Sequence, residues 1–465
     1  MPLMFFNTMN RRKEEFKPID GDKVRMYTCG PTIYNYAHIG NLRTFMFEDI
    51  LRRYLLYKGY RLTHVMNLTD IDDKTIKGSR EQGISLGDYT AKYKQAFFDD
   101  LDTLNIQRAE VYPAATEHIP EMVQIIRKLL DDGYAYEMGG SIYYKISAFA
   151  GYGRLSHMKM DELKVGARVA SDEYEKDQVS DFALWKGWDE DDGNVFWETE
   201  IGKGRPGWHI ECSAMSMKYL GEHFDIHTGA VDNIFPHHEN EIAQSEAATG
   251  KPFANYWLHS LHLIVDGRKM AKSLNNFFTM PQLLEKGYAP RAIRYCLIST
   301  HYRQQLNFTF DGLTAAANSL ERYYDFISNL GDVTGETDGG EADGFISGAA
   351  ANFEKAMDDD LNISEALGVV FDYIRDINRL KAESRLSRAE AVRALDLINR
   401  FDSVLGLQIG EEETIDAGIE GMIEARIEAR KNKNWAESDR IRDELLAQGI
   451  ILEDTPSGTK WKRKI

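Results

Sequence analysis

Cysteine is scarce in this 465-residue sequence: only Cys29, Cys212 and Cys296 occur, too few and too far apart for a disulfide framework. They read as reduced thiols, either buried or bound to metal. Long apolar runs are also lacking. None reaches the roughly 18 to 20 residues that span a bilayer, and Met1 to Lys17 shows no apolar core followed by a small-residue cleavage site. The expectation is a cytoplasmic protein with no membrane partner. Basic charge is in deficit, with 56 Lys and Arg against 74 Asp and Glu, a net −18. That excludes a general nucleic-acid coat, because phosphate binding rests on Lys and Arg neutralising a polyanion. What is present, 43% hydrophobic and 28% charged residues, excludes wholesale disorder and a collagen-like fibre. At roughly 150 residues per domain, the length implies about three domains. No internal repeat is visible.

The charge is unevenly spread. From Gly418 to Ile465 ten Lys and Arg oppose nine Asp and Glu, so the preceding residues carry −19. Any nucleic-acid contact is therefore expected at local patches. Val24 to Cys29 alternates like a strand and is broken by Gly30-Pro31. Apolar residues recur at helical spacing from Leu42 to Lys58, with Gly59 as a stop, and a second strand is expected over Arg61 to Asn67. This βαβ-like opening predicts a doubly wound α/β domain with its ligand at the carboxyl ends of the strands. No G-x-G-x-x-G supports a dinucleotide. Residues 107–204 read as an insertion of mixed helix and strand, with a strand near Phe224 to Thr228 and a helix from His237 to Thr249 following it. A helical region is expected from Pro290 towards Leu330. The Gly- and acid-rich stretch Gly331 to Ala350 reads as a mobile loop. Helices fill 351–406, Gly410 to Gly418 reads as a linker, and the remainder as a small helical domain with a strand-like tail.

Three constellations can carry chemistry. Ala37-His38-Ile39-Gly40-Asn41 lies where a helix begins, so exposed N–H groups and the dipole would attract phosphates, Gly40 would admit a ligand to the backbone, and His38 would donate to a phosphate oxygen. The alternative is a helix cap with an incidental histidine. Arg268-Lys269-Met270-Ala271-Lys272-Ser273 follows an apolar strand and the turn Asp266-Gly267. Its two lysines can hold a departing pyrophosphate, or the segment is a solvated basic loop. Third, five of the twelve histidines fall between Arg205 and Glu241. His237 and Glu241 are four apart and share a helical face. With Cys29 and Cys212 they would make a site suited to zinc, while each cysteine taken singly reads better as a small core residue.

The strings Tyr27-Thr-Cys-Gly-Pro31, His38-Ile-Gly-Asn41, Asn67-Leu-Thr-Asp-Ile-Asp-Asp-Lys74, Arg205-Pro-Gly-Trp-His-Ile-Glu-Cys-Ser-Ala-Met215, Phe235-Pro-His-His-Glu-Asn-Glu-Ile-Ala-Gln244 and Lys269-Met-Ala-Lys-Ser273 resemble the cysteinyl-tRNA synthetase family of class I aminoacyl-tRNA synthetases, nearly end to end. The resemblance implies a Rossmann-like doubly wound catalytic domain with an insertion, followed by a helical bundle and a small C-terminal anticodon-binding domain. The implied division is catalytic domain, first half, 1–106; inserted connective domain, 107–204; catalytic domain, second half, 205–254; signature-loop and stem-contact region, 255–312; helical bundle with the mobile loop 331–350, 313–408; and anticodon-binding domain, 418–465. The implied reaction activates L-cysteine with ATP, in company with Mg2+, to the adenylate, then transfers it to the terminal ribose of tRNA(Cys). The family is commonly monomeric, so a monomer is expected.

The resemblance also implies roles. Cys29, Cys212, His237 and Glu241 match the ligands of one zinc ion per chain that binds the substrate thiolate; zinc lowers a thiol pKa and favours sulfur over hydroxyl, so serine is refused without editing. Four protein ligands usually mark a closed site, so the ion would have to expand its coordination or release a ligand. His38, Gly40, Asn41, Lys269 and Lys272 match the ATP-binding signatures, with Asn41 in place of a histidine and Ala271 in place of a serine. Neither departure removes a charge. Asp232 is implied for the substrate ammonium, and Trp208 and Thr69 for the walls of the cysteine pocket, which Cys29 and His237 also line. Arg430, Trp435, Asp439 and Asp454 match positions that read anticodon bases by hydrogen bonding and stacking. Two other readings stand beside this one. A cysteine ligase of thiol biosynthesis with a sugar-amine acceptor would share the catalytic half but need no anticodon domain. A zinc-stapled RNA-binding protein without catalysis is suggested by Asn41 and Ala271.

Overall fold

A computed structural model describes residues 1–158, 181–270, 274, 276–336, 339–408, 417–448, 450–455 and 458–463. Four parallel strands form the central sheet in the order Ala254–Ser260, Phe224–Ala230, Lys23–Thr28, Arg61–Met66. The chain at 110–115 extends it, with Val65 bridging Val111 and Leu68 bridging Ala114. The strands are apolar on both faces because both are covered. Met26, Ile226 and Leu258 point into one core with Leu42, Met46 and Leu51 of the helix Ile39–Tyr57. Tyr27, Phe224 and Trp257 point into the other, against the helices Trp208–Leu220 and Glu239–Thr249. From Lys23–Thr28 the chain crosses to Arg61–Met66 on one side and later returns through Phe224–Ala230 on the other. The crevice at the carboxyl ends of those two central strands is therefore the topological switch point, where open α/β sheets bind ligands.

The insertion carries a five-stranded antiparallel sheet, Ala135–Met138, Ser141–Tyr144, Phe182–Gly187, Gly202–Pro206 and Trp197–Thr199 in spatial order. Its strand Gly202–Pro206 leads directly into the helix at Trp208, so this sheet delivers that helix to the crevice. Residues 159–180 of the expected insertion lie outside the described residues, as do 409–416 of the expected linker.

Two expectations are corrected. The region from Pro290 to Leu330 is not continuously helical: helices Pro290–Ile298 and Phe310–Leu330 are separated by the strand Leu306–Phe308, which pairs with Leu263–Val265. The mobile loop expected over 331–350 gives way to a helix at Glu341, which runs to Asp358. Local composition misleads there because the stabilising groups come from elsewhere. Glu390 Oε1 accepts from Ala342 N at 3.0 Å, capping the helix across the bundle, while Ala342, Ala349 and Phe353 bury its inner face. Ile363–Ala382 and Arg388–Leu405 complete the bundle. The C-terminal unit is two helices, Ala417–Lys431 and Trp435–Ala447, and the hairpin Ile450–Thr455 with Gly458–Arg463, around Ile419, Ile423, Ile441, Leu445 and Ile450.

Candidate active site and metal centre

Cys29 follows the central strand Lys23–Thr28, and its N–H donates to Thr228 O (3.3 Å) of the neighbouring strand. Cys212 comes from the helix Trp208–Leu220 on the covered side. His237 lies in the kinked segment Ile234–His238, where Phe235 has extended φ/ψ (−137°, 132°), so the regular helix starts at Glu239 rather than at His237 as expected; Glu241 lies four residues on, within Glu239–Thr249. These elements converge so that one donor atom each of Cys29, Cys212, His237 and Glu241 lies within 4.8 Å of the others. Glu241 Oε1 is 3.0 Å from His237 Nε2 and 3.9 Å from Cys29 Sγ. Burial pushes the Cys29 thiol and the Glu241 carboxyl well up and the His237 imidazole well down. A divalent ion would act against the two upward shifts by favouring thiolate and carboxylate. Two sulfurs, one imidazole nitrogen and one carboxylate oxygen around one point, three of the four residues buried, fit zinc.

The histidine cluster does more than supply His237. His209 Nδ1 lies 2.8 Å from His237 Nδ1. With His237 as the donor of that bond, its Nε2 lone pair faces the thiols, the usual way an outer partner fixes a ligating imidazole. Gln244 Nε2 holds the helix behind it by donating to His209 O (3.0 Å) and Ser213 Oγ (2.9 Å). Trp208 stacks on His237 with ring centroids 4.1 Å apart and planes at 24°. Two residues unassigned from sequence also reach the cluster: His238 Nε2 lies 3.2 Å from Cys29 Sγ, and His227 Nε2 lies 2.9 Å from Glu241 Oε2. Cys29, His227, His238 and Glu241 make a second metal-compatible set that shares Cys29 and Glu241 with the first. The density of histidines was the available signal, but period alone could not say which rings turn inward.

Thr69, buried, donates to Glu211 Oε2 (3.1 Å) and accepts from Asn67 Nδ2 (3.2 Å). Asp232 lies in the turn Val231–Asn233 just past the strand Phe224–Ala230, exposed at the mouth of the crevice.

His38 is the N-cap of the helix Ile39–Tyr57: its Nδ1 accepts from Gly40 N (3.1 Å) and Asn41 N (3.2 Å), and Asn41 Oδ1 accepts from His38 N (3.2 Å). Ile39 N donates to Phe278 O (2.9 Å). The first N–H groups of this helix are thus satisfied by protein, which corrects the expectation that they stand open to phosphate. The cap and the ligand role are compatible, because Nδ1 as acceptor puts the proton of the neutral ring on Nε2. The second signature returns to the same place. Asp266 and Gly267 turn with positive φ (48° and 73°) between Leu263–Val265 and Arg268–Lys269. Met270 then reaches Gly40, where a Cβ would lie 2.6 Å from its Cε. Lys269 is exposed beside this contact. Ala271, Lys272 and Ser273 lie outside the described residues. In the C-terminal unit, Arg430 Nη1 donates to Asp454 (2.7 Å) with its guanidinium 5.9 Å from the Trp435 ring centroid, and Asp439 pairs with Arg442 (3.2 Å).

A doubly wound parallel sheet with two lysine- and histidine-bearing signatures meeting at its switch point defines a class I aminoacyl-tRNA synthetase. Residues 15–318 match the class I (C) tRNA synthetase catalytic domain, residues 352–409 the DALR domain, and residues 413–461 the cysteinyl-tRNA ligase anticodon binding domain. The chain is 51% identical to a cysteine–tRNA ligase of Protochlamydia amoebophila, covering 100% of this chain and 98% of that one, and 51% identical to one of Brachyspira hyodysenteriae, covering 99% of each. The fold is similar to methionyl-tRNA synthetase of Mycobacterium tuberculosis in complex with methionyl-adenylate (TM-score 0.60, 14% identity, 83% of this chain and 90% of that one). The chain belongs to the cysteine–tRNA ligase family. It is a ligase that charges tRNA with cysteine, and the thiol-biosynthesis reading is not favoured. Among the described residues, no helix is long and apolar enough to cross a membrane.

Proposed function

We propose that the partly exposed Cys29 and the buried Cys212, His237 and Glu241 hold one zinc ion that selects the cysteine side chain, and that the paired signatures at Gly40 and Met270 handle ATP. The observation that carries this reading is the convergence of two thiols distant in sequence on one imidazole and one carboxyl. When bound, zinc supplies a soft Lewis acid that lowers a thiol pKa and prefers sulfur to a hydroxyl. Trp208 and Thr69 wall the cysteine pocket, and Asp232, at the mouth, pairs with the substrate ammonium. His38 donates through Nε2 to a phosphate oxygen and Asn41 through its side-chain amide, the backbone N–H groups there being occupied. Lys269 and Lys272 hold the departing pyrophosphate as its charge develops, with Mg2+ accompanying ATP. Arg430, Trp435, Asp439 and Asp454 read the anticodon of tRNA(Cys), and the enzyme acts as a cytoplasmic monomer. Residues 107–204 form the inserted connective unit and 255–312 the stem-contact unit.

The test is charging of total tRNA with labelled cysteine and labelled serine side by side, with metal analysis of the same preparation. The expected result is cysteine incorporation with one zinc per chain and background serine. Charging at full rate by zinc-free protein overturns the metal's role.

A further inference from the structure

The reading of Asp454 as a base contact leaves a physical question. A carboxylate offers about four acceptor positions on two oxygens, and here they are taken. Arg426 Nη1 donates to Oδ1 and Nη2 to Oδ2, both at 2.9 Å. Thr459 Oγ1 donates to Oδ1 (2.9 Å) and Arg430 Nη1 to Oδ2 (2.7 Å). The two arginines differ in burial. Arg426, one turn before Arg430 on the helix Ala417–Lys431, has a side chain 4% exposed, against 40% for Arg430. Its Nε has no partner among the described residues, so the paired bond to Asp454 is what orients its guanidinium.

We propose that Arg426 is a positioning residue for anticodon reading. It anchors Asp454 from the protein side, in a fixed plane and as an anion, while the exposed Arg430 is the donor that yields its place to a base. A planar two-bond pair fixes carboxylate orientation as well as charge. The arginines and Thr459 also hold the Asp454 carboxyl down at about 2, so it accepts and never donates at physiological pH. RNA approaching from solvent meets Arg430 first, and Arg430, 5.9 Å from the ring centroid of the half-exposed Trp435, moves towards the base stacked there. The vacated position on Oδ2 accepts from a base N–H. Arg426, buried behind the carboxylate, stays. This inference rests on the reading of Asp454 and Trp435 as anticodon contacts.

The experiment uses the full chain and compares tRNA transcripts carrying the natural anticodon with transcripts substituted at single anticodon bases. Arg426→Gln is expected to lower kcat/KM for charging the natural transcript by roughly tenfold, the size of one strong charge-assisted bond, with little change for the substituted transcripts. Discrimination thus collapses while cysteine-dependent ATP–pyrophosphate exchange is unchanged. Arg426→Lys keeps the charge without the planar pair; it is expected to restore thermal stability without restoring discrimination, and it decides the matter if the glutamine variant unfolds. Full discrimination in both Arg426 variants, with loss in Asp454→Asn, overturns the anchoring role. Full discrimination in Asp454→Asn itself refutes the underlying assignment of Asp454.

Discussion

Met270 rests on Gly40: the methionine of the second signature fills the space where a side chain at 40 would be, with Cε 2.6 Å from an ideal Cβ. Two motifs far apart in sequence are locked at one contact, and the lysine loop's approach to the cap of the helix Ile39–Tyr57 depends on residue 40 having no side chain.

Gly40→Ala is therefore expected to displace both Met270 and the His38 ring, whose Cε1 lies 2.9 Å from the same Cβ. Displacement of reacting groups by about an ångström costs on the order of 100-fold in rate. Cysteine-dependent ATP–pyrophosphate exchange measures it. A loss of that order is expected with only a modest fall in melting temperature, because Met270 is only partly buried and loss of the His38 cap costs about 1 kcal/mol.

Cys212→Ser and Glu241→Ala should each lower zinc content and cysteine activation together, read by metal analysis and exchange on the same samples. Glu241→Ala also leaves His227 Nε2 without its 2.9 Å partner, so it is expected to be the less stable of the two, since a buried polar group left unpaired costs about 1–3 kcal/mol.

Glu48 offers a pH prediction. It is fully buried against the sheet, accepts from Thr228 Oγ1 at 2.8 Å, and has no partner for Oε2 among the described residues. Burial pushes its carboxyl up to about 8 from an ordinary 4.5. Between those values the folded chain keeps a proton that the unfolded chain has released. Stability is fully present below the lower value and falls as pH rises to the upper one, by at most about 1.4 kcal/mol per pH unit. Glu48→Gln keeps the acceptor without the titration. Denaturant unfolding from pH 5 to 8 should show a flatter profile and greater stability at the alkaline end.

Trp435→Ala removes a half-exposed ring that contributes nothing to the small C-terminal core. Charging of tRNA should fall by roughly tenfold, the scale of one lost base–aromatic stack, with adenylate formation spared. Equal loss of both steps would make Trp435 a residue of global stability.

Much of this architecture was legible from local pattern. The strand Lys23–Thr28, the helix from Ile39 and the strand from Arg61 announce themselves by period and by stops at Gly30 and Gly59, and they fix the switch point. His237 and Glu241 could be paired because a helix repeats every few residues. Hidden were the relationships made across the fold. Nothing near Ala342 announces that Glu390 caps it, so a glycine-rich stretch was read as loop. Nothing in the turn at 234–238 says that both His237 and His238 face inward. The occupied N–H groups at Gly40 and Asn41 follow from a rotamer of His38. Local pattern does not single out Arg426, because its partner Asp454 lies on the hairpin 28 residues further along the chain.

The order of the four clustered donor residues along the polypeptide also bears on how the enzyme is made. Cys29 precedes the insertion, whereas Cys212, His237 and Glu241 all follow it. On the ribosome the first thiol emerges alone and waits while an entire antiparallel sheet is synthesised, and domains fold as they appear. On the proposed zinc reading, metal capture is therefore expected late in biogenesis, and a nascent chain arrested within the insertion presents a solitary sulfur where the finished chain brings four donor residues together.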